Sequence, residues 1–186
     1  MHTDGPRRQK KRGYGLWISA NTKTDAFELD ELYWFVGKRK GYENGVNTYI
    51  MTMLSREPRQ IVGYAVDNSV NAACIQNMVD NTVQAEKYHT DGGNIYLGVD
   101  FIGRHQRNIR DKRDTHNIEG SNADIRHYIA GLQRRSRCFF RKQDTLKAVL
   151  ALFVYAFNKF GAAKLEYRLK HPGCGRDFHF NHLQFL

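Results

Sequence analysis

The chain has 186 residues, 41% of them hydrophobic and 12% aromatic, which suits one domain with a sizeable core and excludes a disordered chain. A formal net charge of +10 favours a polyanionic partner, and without a lipid-binding pattern beside it nucleic acid is expected rather than a membrane. Three widely spaced cysteines, Cys74, Cys138 and Cys174, exclude a disulfide scaffold and fit a reducing, cytoplasmic setting.

Residues 1–24 read as a basic arm (Arg7, Arg8, Lys10, Lys11, Arg12), which can contact phosphate or fray as a solubilising terminus. No secretory signal pattern opens the chain, and the apolar run Ala148 to Phe157 is too short to span a bilayer. The folded domain is expected over 25–162, with a C-terminal tail over 163–186.

Structure is predicted from Phe27. FELDELYWFVG alternates with period two, so Glu28, Asp30, Leu32, Trp34 and Val36 share one face, and Leu29, Glu31, Tyr33 and Phe35 the other. Asp30 therefore points the same way as Leu32 and Trp34, a carboxylate on the apolar part of a strand face, a placement that calls for a partner or a metal. KRKGYENG (38–45) reads as a turn. Strands over Val46–Leu54 and Gln60–Val66, joined at Glu57-Pro58-Arg59, complete a three-stranded antiparallel meander. Asn71 to Val83 reads as a helix, with Ala72, Ile75, Met78 and Val79 at helical spacing.

Lys87 to Thr90 reads as a short strand running into Asp91-Gly92-Gly93. Glycines after a strand-end carboxylate let the backbone approach a ligand, although the same three residues are also an ordinary turn. Asp100 to Asp114 reads as a basic connector. In the stretch Asp114 to Phe140, Ile118, Ile125, Ile129 and Leu132 form an apolar helical stripe, flanked by Glu119, Asn122 and Arg126. The predicted helix runs on to Arg134, Arg135 and Arg137. A last helix, capped by Asp144 and stopped at Gly161, is apolar almost all round and reads as core. The tail carries His171, Cys174, His179 and His182, whose spacing matches no standard zinc arrangement.

A strand–helix–strand crossover makes the fourth strand parallel to its sheet neighbour, which predicts an α/β mixed sheet flanked by helices. Such a layout lets Asp30, Asp91 and Glu119 meet. Converging carboxylates repel one another, and their natural occupants are hard divalent cations, two Mg²⁺ or Mn²⁺ ions. The basic residues Arg110, Lys112, Arg113, Arg134, Arg135 and Arg137 would track a DNA backbone. No phosphate-binding GxxxxGK[ST] loop or nucleophile–histidine arrangement competes.

LDELYWFVGKRK, YHTDGG and RDKRDTHNIEGSNADIRHYIAGLQRRSRCFFRK together resemble the three catalytic blocks of transposases of the insertion-sequence-one family. The last block is the most specific, with Asn122 and Arg126 three and seven residues beyond Glu119 and a basic CFF segment after them. The resemblance covers roughly Glu28 to Asn158. It implies a ribonuclease-H-like fold, a catalytic and metal-binding triad of Asp30, Asp91 and Glu119, and Asn122 and Arg126 as DNA-contacting neighbours on the helix. It further implies cleavage at transposon ends, transfer of the freed 3′-hydroxyl to target DNA, and a homodimer or higher oligomer when active. The family usually places an aromatic after TDG and RH after IE, where Gly93 and Gly120-Ser121 stand here. With 29 residues before Asp30, the family's N-terminal DNA-reading region has no room, and the chain reads as a catalytic portion. Two other readings share these residues: a ribonuclease-H-like structure-selective nuclease, and a non-catalytic DNA-binding relative.

Overall fold

Among the described residues five strands make one sheet: β1 (Ala26–Val36), β2 (Val46–Ser55), β3 (Gln60–Asp67), β4 (Lys87–Asp91) and β5 (Arg104–Asn108), in spatial order β3-β2-β1-β4-β5. Three helices among those residues accompany it: α1 (Ala72–Asp80), α2 (His116–Tyr128) and α3 (Gln143–Phe160). The computed structural model describes residues 25–37, 46–109, 114–133 and 138–160. The basic arm, the turn at 38–45, Arg110, Lys112, Arg113, Arg134, Arg135, Arg137 and the tail histidines with Cys174 lie outside the described residues.

β1 to β3 pair antiparallel as a meander, whereas β4 pairs parallel with β1 and β5 parallel with β4. This is the mixed sheet expected of a ribonuclease-H-like α/β fold. The pleat of β1 divides the core in two. Leu32, Trp34 and Val36 pack with Ile118 and Ile125 of α2 and with Leu146, Leu150 and Val154 of α3. Phe27 and Leu29 face the other way, onto Ile75 and Met78 of α1 and onto Tyr88 and Tyr96. Each fully buried aliphatic side chain here contributes about 1.5–3 kcal/mol, so the sheet is held from both faces.

Local devices fix the helices. The Asn71 side chain accepts the Cys74 N–H at 2.7 Å and starts α1. Asn158 of α3 pairs with both backbone groups of Ile61, each at 2.8 Å, tying that helix to the edge strand β3. Among the described residues no helix is long and apolar enough to cross a membrane.

Three local expectations are corrected. The basic connector contains β5, a strand hidden in the sequence because RHQRN has no apolar alternation and its place at the sheet edge comes from backbone pairing to β4. α2 ends at Tyr128 rather than continuing to the arginines, and Ile129 and Leu132 reach the core through a 3-10 turn over Ala130–Leu132. Gly131 belongs to that bend, since a Cβ there would lie 2.5 Å from the Phe140 ring. α3 is not buried all round: Leu152 and Tyr155 are exposed, and Asp144 lies in its first turn rather than capping it.

Candidate active site

Asp30, Asp91 and Glu119 come from three elements and line one cleft of about 520 Å³, together with Gly92, Asn108 and Thr115. Two of the three placements follow from the sheet. Leu29 of β1 lies opposite Thr90 of β4, so the next residue on each parallel strand brings Asp91 beside Asp30. β4 stops there while β1 continues to Val36, and this opens a crevice at the carboxyl end of β4, where ligands of α/β sheets bind. Glu119, exposed in the first turn of α2, closes the third side.

Two of the carboxylates, those of Asp30 and Asp91, are held by hydrogen bonds within the fold. Asn122 of α2 donates its Nδ2 to Asp30 Oδ2 at 2.8 Å, and its own Oδ1 accepts the Thr52 hydroxyl at 3.1 Å. The Gly93 N–H donates to Asp91 Oδ1 at 2.8 Å. Residue 93 has to be small for this, because a Cβ would come 2.9 Å from that oxygen. Burial raises the Asp30 carboxyl above its ordinary range against the hydrogen bonds it accepts, and the negative charges of Asp91 and Glu119 add to the rise.

Asn122, expected beside the DNA, is buried, and both ends of its amide are engaged within the protein. Arg126 lies at the far end of α2, its guanidinium 5.7 Å from the Trp34 ring centroid and one nitrogen 3.4 Å from the Tyr33 carbonyl oxygen. That is a cation–π arrangement that covers core.

Two residues of the site were missed from sequence. Glu31 alternates onto the opposite face of β1 from Asp30, yet carboxylate oxygens of Asp30, Glu31 and Asp91 all lie within 4.8 Å of one another. They meet because β4 ends and the β1 edge is open at this point. Burial pushes the Glu31 carboxyl from an ordinary 4.5 up to about 7, against a hydrogen bond from the Tyr96 hydroxyl. Its Oε1 is buried with no hydrogen-bond partner among the described residues. The signal available in the sequence was the Asp30-Glu31 pair itself, two carboxylates in succession within an apolar strand. The second residue is Asn108, at the end of β5 opposite Asp91, whose buried Nδ2 also has no partner among the described residues. Arg107 beside it donates to the Gly92 carbonyl and to Asn94 Oδ1 and so braces the loop that follows Asp91.

The donor set fits hard divalent cations. It consists of carboxylate oxygens only, mutually repelling and partly desolvated, with one buried oxygen that lacks a partner. Soft or zinc-type sites favour sulfur or imidazole donors, and among the described residues none lines the cleft.

No protein-family model matches the chain. No curated protein matches it either. Among solved structures it is similar to a chain in the cryo-EM structure of the simian T-cell lymphotropic virus intasome in complex with PP2A regulatory subunit B56 gamma, at 12% identity and a TM-score of 0.46. The match covers 78% of this chain and 52% of that one, so this chain spans about half the length of the solved chain. The α/β ribonuclease-H-like layout itself rests on strand order and register: an antiparallel meander extended by two parallel strands, with helices on both faces.

Proposed function

We propose that this chain is a metal-dependent DNA-processing enzyme, a transposase of the insertion-sequence-one type, that cleaves phosphodiesters at element ends and joins the freed 3′-hydroxyl to target DNA. The observation that carries the reading is that Asp30, Asp91 and Glu119, from two strands and a helix, line one cleft, with Asp30 and Asp91 close enough to share an ion. Asp30, Asp91 and Glu119 would hold the ions, with Glu31 within reach of the same position. Divalent ions held there would supply Lewis-acid and charge stabilisation for the in-line displacement at a phosphodiester. The protein's own contribution is placement. Asn122 fixes the Asp30 carboxylate, Gly93 fixes that of Asp91, and Asn108 offers a buried donor to a phosphate oxygen at the cleft wall.

DNA binding by the +10 chain is expected to be tolerant of sequence and steeply salt-dependent, with a log–log slope of about −0.9 per phosphate contacted. Replacing Arg134, Arg135 and Arg137 by Gln should make that slope shallower by roughly 1–3. Fluorescence anisotropy across a salt series measures it, and an unchanged slope with unchanged affinity would put the DNA on another face.

The activity test presents a duplex carrying a 3′-hydroxyl end and a supercoiled target, with Mg²⁺ or Mn²⁺. Joined products support the transposase reading. Hydrolysis without joining points to the ribonuclease-H-like nuclease, and neither product with either ion removes both.

A further inference from the structure

Helix α2 starts without a capping bond from its own N-cap. Thr115 occupies that position and makes no side-chain capping hydrogen bond, whereas a residue of its kind there ordinarily accepts the second or third helical N–H. The acceptor comes instead from β1. Glu28 is wholly buried, and its Oε2 takes the Ile118 N–H at 2.9 Å. Its Oε1 takes Asn117 Nδ2 at 2.8 Å and Arg56 Nε at 2.7 Å. Arg56 reaches on to the Asp114 carbonyl at 2.6 Å, immediately before the helix.

A buried carboxylate is costly unless it is paired and hydrogen-bonded. Glu28 has an ion-pair partner, a backbone donor, an amide donor and the positive end of a helix dipole. An Asp or Asn at 115 would cap the helix as well, but it would not tie the helix to the sheet. The second tie is the Asp30–Asn122 bond. Two residues along a strand advance about 6.6 Å and four along a helix about 6 Å, so Glu28–Ile118 and Asp30–Asn122 form two matched rungs. Glu119 lies between the rungs in sequence.

We propose that Glu28 is a positioning residue of the acidic site: it fixes the start of α2 to β1 and so sets where Glu119 stands relative to Asp30. This rests on the reading of Asp30 and Glu119 as joint ion holders in DNA cleavage. Glu28 touches neither DNA nor an ion, and acts through the helix it holds.

The test is Glu28→Gln in the full chain, which keeps the size of the side chain and removes its charge pairing with Arg56. Exchange of the Ile118 amide should accelerate at least about tenfold relative to amides of β2, and kcat for cleavage should fall about 10–100-fold with KM for DNA little changed. Mn²⁺ affinity, followed by electron paramagnetic resonance, should weaken by about tenfold or more. Asn117→Ala removes one donor to Glu28 and should act in the same direction by roughly 2–5-fold, which covers the case in which the Gln variant does not fold. Unchanged exchange at Ile118 would mean that Glu28 does not hold the helix. Faster exchange with unchanged kcat and unchanged Mn²⁺ affinity would leave it a helix cap only, and overturn the proposal. A parent that cleaves no DNA with either ion sinks the proposed reaction, while Ile118 exchange and Mn²⁺ affinity still decide the positioning.

Discussion

Glu119→Gln is expected to lower strand cleavage by at least about 10³-fold, roughly 4 kcal/mol of transition-state stabilisation, while fold and DNA binding persist. Glu119 is exposed on the cleft side of α2, so an isosteric amide leaves packing untouched and helix propensity nearly so. What it removes is an anionic oxygen facing Asp30, whose carboxyl already responds to the charge at 119. Parallel assays of supercoiled-DNA cleavage with Mg²⁺ and of thermal unfolding separate lost chemistry from lost fold. Equal cleavage by variant and parent, at equal stability, would leave Glu119 an ordinary solvated carboxylate.

Glu31→Gln should raise the stability of the ion-free protein at alkaline pH. The Glu31 carboxyl rises from 4.5 to about 7 on folding, so between those values the folded state holds a proton that the unfolded chain releases. Its contribution to stability is complete below about pH 4.5 and is lost as pH rises through about 7. With chelator present, the Gln variant should therefore be more stable than the parent at pH 8, by about 1–2 kcal/mol after allowance for solvent at this partly exposed carboxylate. The difference should vanish near pH 4. Mg²⁺ should reverse the order at pH 8, because a bound cation stabilises the ionised carboxylate and the Gln variant offers it one ligand fewer. Melting curves over pH with and without Mg²⁺ decide it. A variant no more stable than its parent at pH 8 would show that burial does not strain Glu31.

The parts of the fold with a strong hydrophobic period were legible in the chain. β1 shows the alternation of its faces, α1 the spacing of Ile75 and Met78, and the crossover between β3 and β4 the parallel pairing. Asp30 stood out because it shares a face with Leu32 and Trp34, and Asp91 because glycines follow it. Glu31 was hidden by the same alternation that revealed Asp30. Period two assigns it to the far face, and only the early end of β4 brings its oxygens within 4.8 Å of the others. β5 was hidden because an edge strand needs no apolar period, only a neighbour to pair with. The buried stripe was legible through Leu132, but the end of α2 at Tyr128 was not; just beyond it the Phe140 ring, nine residues on from Gly131, lies where a Cβ on that glycine would stand. Nor could sequence spacing show that Asn122 would turn inward to Asp30 and Thr52 rather than outward to DNA.

If the cleft between β1, β4 and α2 is a divalent-cation site, as proposed, anomalous scattering from a crystal soaked in Mn²⁺ will reveal the ion there. Mn²⁺ should be coordinated by Asp30 and Asp91, with Glu119 completing the site and Glu31 Oε1 drawn toward it. Mn²⁺ bound elsewhere in the crystal while these carboxylates stay unligated would contradict it.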